Sequence, residues 1–282
     1  MNTRVTNLPE EIEAYRDRYW CREPELRVED ALAAERFIER VGFCSALTDS
    51  RRTGPSLYIA VCGRRDVHMP RNVQKDPEAR LTWNLKDELV RRGQVYYGKL
   101  RANRAIFVAR QLLPYFQALI TFHRSRTTTE LSSDARSMLK VLQKEWEMAS
   151  RDLRMASGVK DRTRFNKAID ELQRALKIIP GEIVYQPIFT YIWTLADARF
   201  HDVLQQKHDT DAAITEIARV YLKSAGMTLR GELARVTGLS NADAGAGNWA
   251  LVDEGFATRL GPGIYLLSEL QKPRAGVATA PR

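Results

Sequence analysis

The feature that most constrains the fold of this 282-residue chain is an internal repeat. Asp-Glu pairs begin at Asp87, Asp170 and Asp253, so successive pairs lie 83 residues apart, and an apolar residue stands two positions before each aspartate. Self-similarity at a fixed period indicates that a chain is built from copies of one supersecondary unit. The same order of structural elements is therefore expected around each pair.

Each Asp-Glu pair is followed by two β-rich runs with a turn between them, which predicts a hairpin. The turns are expected at 101–103, at Pro180-Gly181 and at 261–263. Helical periodicity precedes the pairs, and in the second copy Asp134 is expected to cap the first helix. Three helices and a hairpin in about 70 residues are the order of a winged helix. We therefore predict an α+β, mainly α, fold of three tandem winged-helix units.

The same patterns divide the chain into five predicted parts. These are an N-terminal helical extension (1–27), winged helix 1 (28–125), winged helix 2 (126–205), winged helix 3 (206–270) and a disordered basic tail (271–282).

The charge of the chain favours a polyanionic partner, which we expect to be double-stranded DNA. The net charge is +9 and the isoelectric point is about 9.6. The second copy carries a predicted recognition helix at about 161–176, because one stripe is apolar and the opposite face is polar and mainly basic. An ordinary solvated face is the alternative. The DNA-contacting residues predicted there are Arg162, Thr163, Arg164, Asn166, Lys167 and Arg174.

The first hairpin supplies a second predicted contact with DNA. Lys99, Arg101 and Arg104 surround its turn, where a basic wing can lie along the DNA backbone. A charged edge that blocks strand pairing explains the same residues equally well. In the second hairpin, Phe189, Tyr191 and Trp193 alternate on one strand face and are expected in the core.

The third copy is expected to have a structural role or to contact protein, rather than to bind DNA. The last predicted helix of that copy carries only acidic charged residues, which would repel phosphate. They are Asp243, Asp253 and Glu254. A protein partner could bind there.

Several other classes of function are not indicated by the sequence. Cys21, Cys44 and Cys62 are widely separated, and no histidine has metal-ligand spacing, so neither a metal nor a cofactor is expected. No apolar run approaches the roughly 18 residues of a membrane helix, and no secretion signal is recognisable. We expect a cytoplasmic, nucleoid-associated protein.

The stretch WNLKDELVRRGQVYYGKLRANRAIFVARQLLPYF, at 83–116, resembles the AlkZ-like (YcaQ-type) winged-helix DNA glycosylase family. The segment from Tyr191 to Arg199 resembles the exit from that family's second winged helix, and the similarity extends over about 28–270. The resemblance implies excision of alkylated bases and unhooking of DNA crosslinks. It also implies a Gln-x-Gln or Gln-x-Asp motif that positions water, and a His-Glu pair in the first hairpin.

The sequence departs from that family at both catalytic motifs. Ser45 and Leu47 occupy the positions of the water-positioning motif, and Gly98-Lys99 stands where the His-Glu pair is expected. A leucine side chain cannot orient water. Ser45, Asp49 and Glu39 are the fallback catalytic candidates if the chain is active. The family's C-terminal β-rich domain is also not expected, because the pattern ends near residue 270.

Three hypotheses follow from the sequence. The first is a duplex DNA-binding protein related to the AlkZ-like glycosylases but without base-excision activity. The second is an active DNA glycosylase, an N-glycosyl hydrolase of altered lesion specificity in DNA repair. The third is a regulatory or protein-interaction winged-helix module.

Overall fold

The computed structural model describes residues 8–100, 104–127 and 130–271, apart from the side chains of 125–127. Helix α1 (Glu10–Tyr19) comes first and a short 3-10 turn follows it at Pro24–Leu26. The first repeat consists of α2 (Ala31–Val41), β1 (Phe43–Ser45), α3 (Leu57–Cys62), α4 (Pro77–Arg92), β2 (Val95–Lys99) and β3 (Ala105–Ala109). A second 3-10 turn at Arg110–Leu112 then leads into the linking helix α5 (Leu113–Thr127).

The second and third repeats have the same order of elements as the first. The second repeat consists of α6 (Ser133–Glu145), β4 (Glu147–Ala149), α7 (Ser150–Ala156), α8 (Arg162–Arg174), β5 (Ile178–Val184) and β6 (Thr190–Leu195). After α9 (Ala196–Leu204), the third repeat consists of α10 (Thr210–Ala225), β7 (Met227–Thr228), α11 (Glu232–Thr237), α12 (Asn241–Asp253), β8 (Ala257–Gly261) and β9 (Ile264–Leu267). A 3-10 turn at Ser268–Leu270 follows.

Each repeat contains one small antiparallel sheet with its last strand in the centre. The strand orders are β1-β3-β2, β4-β6-β5 and β7-β9-β8. In every repeat the short first strand follows the first helix directly and pairs with the last strand of the hairpin. The predicted α+β, mainly helical fold class is confirmed.

The first helix of every repeat ends on a residue with the same unusual backbone conformation. These residues are Gly42 (φ 79°, ψ −43°), Trp146 (φ 69°, ψ −47°) and Gly226 (φ 68°, ψ −37°). In each case the backbone N–H donates to the carbonyl four residues earlier, at 2.8 Å. This conformation suits glycine because it lacks a Cβ atom. Trp146 therefore occupies a position that the other two repeats give to glycine.

Two local predictions in the second repeat were wrong. Ser132, not Asp134, caps α6, because the Ser132 hydroxyl accepts the N–H of Ala135. The predicted turn at Pro180-Gly181 is a bulge inside β5, and the loop between the strands lies at 185–189. Proline lacks an N–H, so it is tolerated at a strand edge or bulge as well as in a turn.

The first and third repeats share one hydrophobic core, which also includes Leu176 and Ile179 of the second repeat, and the rest of the second repeat has a core of its own. In the shared core, Phe43 of β1 stacks on Tyr221 of α10 at 6.1 Å and meets Phe116 of α5 edge-on. The separate core of the second repeat is built around Met138 and Leu172. The third repeat is thus packed against the first, and the second is joined to that pair of repeats mainly through the surroundings of α4, β2 and α9.

The described residues also bear on membrane-spanning helices, metal-binding clusters and the cysteines. Among these residues, no helix has the length and apolarity that crossing a membrane requires. The part of the chain that the structure describes also contains no group of histidine, cysteine and acidic side chains that could hold a metal ion. Cys21, Cys44 and Cys62 are free and buried.

Candidate nucleic-acid interface

A basic cleft of about 1080 Å³ lies where the second repeat meets the hairpin of the first. Its walls are α7, α8 and the β5–β6 hairpin, and Tyr97, Lys99 and Ala105 of the first hairpin close one end. The basic side chains that line it are Lys99, Arg151, Arg154 and Arg162. We refer to this recess as the basic cleft.

Helix α8 is oriented by its apolar stripe. Asp161 caps its first turn by accepting the N–H of Arg164, and Phe165, Ile169 and Leu172 are buried against the second repeat. The opposite side of the helix is exposed to solvent. This is the amphipathic arrangement that the sequence predicted.

The polar residues predicted on α8 divide into three groups. Arg162 and Asn166 line the basic cleft. Thr163, Lys167 and Arg174 are exposed, and helical geometry at 100° per residue places them together on a neighbouring face. Arg164 points to α6 instead, where its guanidinium donates to the Asp134 carboxylate at 2.6 and 2.8 Å.

The residues predicted in the first hairpin also differ in their surroundings. Lys99 Nζ lies 2.7 Å from Asp170 Oδ1, and the Lys99 backbone N–H donates to Gln173 Oε1 at 3.1 Å. These bonds attach the hairpin to α8 and partly neutralise the charge of Lys99. Arg104 is exposed just before β3. Arg101 lies outside the described residues.

Sequence analysis did not select Arg151 and Arg154 of α7. They flank the buried Leu153 at a spacing that places both on one side of a helix. That spacing was the available signal, but α7 has only seven residues, about two turns, so its periodicity is weak. Two carboxylates, Asp152 and Asp170, also line the cleft, and Asp170 pairs with Lys99. No carboxylate among the described residues forms an ion pair with Arg151, Arg154 or Arg162, and four basic against two acidic side chains leave the lining with a net positive charge.

A second recess, of about 760 Å³, adjoins the basic cleft. Its aromatic lining consists of Trp83 from α4 and Tyr185, Phe189 and Tyr191 from the second hairpin, and we call it the aromatic pocket. Tyr185 and Phe189 are 48% and 45% exposed, while Trp193 is buried. The prediction of a core position was therefore right for Trp193 and wrong for Phe189.

A partly buried polar network, in which Lys86 and Asp87 are the buried members, supports the aromatic pocket. Trp83 Nε1 donates to Tyr185 Oη at 2.8 Å, and Tyr185 Oη donates to the Asp87 carboxylate. The same carboxylate pairs with the Lys86 ammonium, which lies 4.4 Å from the centre of the Trp83 ring. Burial lowers the pKa of Lys86, and burial together with the hydrogen bond to Asp87 raises the pKa of Tyr185 to about 12.

The three fallback catalytic candidates lie in the first repeat, and none of them lines either recess. Ser45 is the last residue of β1 and is opposite Ile106. Glu39 is exposed on α2. Asp49 is buried and accepts hydrogen bonds from the Arg51 side chain and from the Met69 backbone N–H at 3.0 Å.

The donors around Asp49 predict a pH-dependent role in stability. The Arg51 hydrogen bonds are the main reason that the pKa of Asp49 lies below its usual value of 3.8. A carboxylate with a lowered folded-state pKa stabilises the fold above the unfolded pKa of about 3.9, and this contribution is lost as the pH falls. Asp49→Asn should therefore cost about 1–3 kcal/mol of unfolding free energy at pH 7.

Urea unfolding at pH 7 and pH 3 would measure this effect, with the exposed Asp66→Asn variant as the control. The difference between wild type and Asp49→Asn should shrink at pH 3. An equal difference at both pH values would contradict the charge-based explanation.

Comparison with known proteins identifies a family and a solved structure of similar fold. The model of the AlkZ-related family matches residues 28–188, which span the first repeat and the second as far as the β5–β6 loop. Among solved structures, the chain is similar to the DNA glycosylase AlkZ of Streptomyces sahachiroi, with a TM-score of 0.57 and 14% sequence identity. That similarity covers 92% of this chain and 69% of the AlkZ chain. No curated protein matches.

Proposed function

Because this chain belongs to the AlkZ-related family, we propose that it binds duplex DNA and does not excise bases. In this proposal each repeat is a winged helix, with boundaries at 28–125, 126–205 and 206–270. The second unit holds the recognition helix, and the third supports the first and offers a surface to a protein partner. A protein of this kind would act in the cytoplasm on the nucleoid.

The observation that carries the proposal is the basic cleft. Arg151, Arg154 and Arg162 converge there from two helices without a carboxylate partner among the described residues. Helix α8 begins at the same place, and the first-turn backbone N–H groups that Asp161 does not cap favour phosphate oxygens. Phosphate contacts of this type position a protein on DNA without reading its sequence.

The exposed face of α8 is the part of the site suited to base edges. Asn166 can pair with adenine, and Thr163, Lys167 and Arg174 can reach bases or phosphates in a major groove. Lys99 and Arg104 extend the same surface onto the first hairpin, as expected of a wing. Arg164 contributes less in this proposal because Asp134 holds it against α6.

The proposed lack of base excision rests on the side chains at the motif positions. Ser45 and Leu47 stand where the family resemblance implies two polar groups around a water, and Leu47 offers no hydrogen bond. Asp49, the nearest carboxylate in sequence, is held by Arg51 and Met69. A base-release assay on alkylated and crosslinked duplexes should therefore show no product at enzyme excess. Release above the uncatalysed rate would favour the alternative, a glycosylase of altered specificity.

The DNA-binding proposal is tested by removing cleft charges. Arg154→Ala combined with Arg162→Ala should lower the slope of log K against log salt by roughly two, because two phosphate contacts are lost. Fluorescence anisotropy with a labelled duplex at 50–200 mM salt measures this slope.

The matched control is Lys144→Ala combined with Arg259→Ala, which removes the same charge at positions outside the cleft. The control should leave the slope unchanged. A slope that changes equally in both pairs, or in neither, would contradict the placement of DNA in the cleft. Lys167→Ala tests the neighbouring face of α8, with an expected change of about one.

A further inference from the structure

The aromatic pocket is an open recess lined by aromatic rings, and binding of phosphates in the basic cleft does not account for a surface of this kind. Three of its rings follow one another on the second hairpin, with centroid distances of 5.4 Å from Tyr185 to Phe189 and 5.3 Å from Phe189 to Tyr191. Trp83 of the first repeat also lines the pocket, with its Nε1 2.8 Å from Tyr185 Oη. Aromatic side chains are usually buried in a core, so rings gathered around an open recess indicate a ligand with a flat apolar face.

We propose that the aromatic pocket binds one unstacked nucleobase of a DNA strand that lies in the basic cleft, an inference that rests on the proposed function. Every nucleobase has a π-face, and stacking on aromatic side chains binds bases with little sequence preference. The occupant is a base that has left the helical stack.

Continuity between the two recesses favours this occupant. Phe189 and Tyr191 line both of them, so a strand held by the cleft passes the mouth of the pocket. Arg80 on the pocket rim can pair with a phosphate of that strand, and Gln74 and Asn84 offer donors and acceptors to a base edge. The rim charge thus suits a nucleotide better than an uncharged apolar ligand.

The hairpin loop beside the pocket supplies a group that can open the stack. Ile188 is 72% exposed at the tip, next to Phe189. Apolar side chains inserted between base steps unstack them. Ile188 at the tip and the pocket beside it therefore place an unstacking side chain next to a site for the displaced base.

The polar network beneath the rings acts as a positioning device. Tyr185 is fixed by accepting from Trp83 and donating to Asp87, and Lys86 lies against one face of the Trp83 ring. Rings whose orientation is set before binding lose less side-chain freedom when a base arrives. Tyr185→Phe keeps the ring and removes both hydrogen bonds, which separates positioning from stacking.

The experiment compares three labelled duplexes of one sequence. One is fully paired, one carries a single bulged adenine, and one carries the same bulge with an abasic sugar analogue. Wild type should bind the adenine bulge about tenfold more tightly than the abasic bulge, within the range that one stacked base supplies. Tyr185→Ala should lose that preference and keep its affinity for the paired duplex, because Tyr185 lines the aromatic pocket but not the basic cleft.

Trp249→Ala is the matched control, because Trp249 is a similarly exposed aromatic, 46% exposed, on the third repeat. It should retain the tenfold preference. Tyr185→Phe should retain part of it, and a circular dichroism melt confirms folding of each variant.

The outcomes separate the two proposals. If wild type binds none of the duplexes, both proposals are overturned. If it binds all three equally, DNA binding stands and the nucleobase site is overturned. A preference that survives in Tyr185→Ala, or that is lost equally in Trp249→Ala, also overturns the nucleobase site.

Discussion

Replacing Arg16 with alanine is expected to lower the free energy of unfolding by about 3–5 kcal/mol. Arg16 on α1 pairs with Glu232 on α11 at 2.9 Å, and the two side chains are only 5% and 1% exposed. Without Arg16, Glu232 becomes a buried charge whose remaining donors are the Tyr221 hydroxyl and the Leu229 backbone N–H. The truncation of one partner is costly because the other partner cannot return to water.

The Arg16 side chain also satisfies backbone groups of the third repeat. It donates to the carbonyls of Ala225 and Met227 at 3.0 and 2.7 Å, so its loss leaves two buried acceptors without this donor. These bonds join α1 to the segment that follows α10. Arg16→Ala should therefore detach the N-terminal helix as well as destabilise the third repeat.

Chemical unfolding followed by tryptophan fluorescence would measure the loss. The control is Arg27→Ala, which removes an exposed, solvent-screened pair with Glu29 and should cost far less than Arg16→Ala. A loss in Arg16→Ala no larger than in Arg27→Ala would show that solvent reaches the Arg16–Glu232 pair and that its burial is not what stabilises the fold.

The elements of this fold could be predicted from the sequence where the signal is local. The apolar spacing of Phe165, Ile169 and Leu172 identified α8, and Asp161 was expected at its start. Periodicity and capping act within one or two turns, so a single stretch of sequence contains the information. The even spacing of the Asp-Glu pairs then suggested that one order of elements recurs.

The parts that could not be predicted depend on contacts between distant residues. Trp83 and Tyr185 form one pocket although 102 positions separate them. The core that the first and third repeats share could not be predicted from local sequence, because an apolar helix face does not specify which element will pack against it. The same limit applies to charge: Lys99 and Arg164 were selected as free cations, yet Asp170 and Asp134 pair with them across repeats and helices.

Replacing Gly42 with alanine is expected to lower the free energy of unfolding by about 2–5 kcal/mol. The positive φ costs a residue with a Cβ atom about 1–2 kcal/mol, and overpacking of a core adds about 1–3 kcal/mol. The overpacking arises because a Cβ atom here would lie 2.2 Å from Val220 Cγ1 and 2.9 Å from Leu112 Cδ1. Both neighbours belong to the region where the first and third repeats meet.

A second substitution separates the two causes. Val220→Ala removes the nearest clashing methyl, so the double variant should lose less stability than the sum of the single variants. The part that remains reports the backbone strain. Strict additivity of the two variants would argue against the clash, because residues in contact are expected to couple.

Introducing a glycine at the equivalent position of the second repeat, Trp146, should raise the free energy of unfolding instead of lowering it. Trp146 has the backbone conformation of Gly42, and its side chain is 67% exposed, so Trp146→Gly removes little buried surface. Relief of about 1–2 kcal/mol of backbone strain, less the entropic cost of a glycine of about 0.5–1 kcal/mol, gives a net gain of up to about 1.5 kcal/mol. Thermal unfolding of Gly42→Ala and Trp146→Gly measures whether each substitution lowers or raises the stability. If both variants unfold at a lower temperature than wild type, the shared backbone conformation does not determine stability at these two positions. If Gly42→Ala is destabilised and Trp146→Gly is stabilised, the strained, exposed Trp146 lowers the stability of the second repeat.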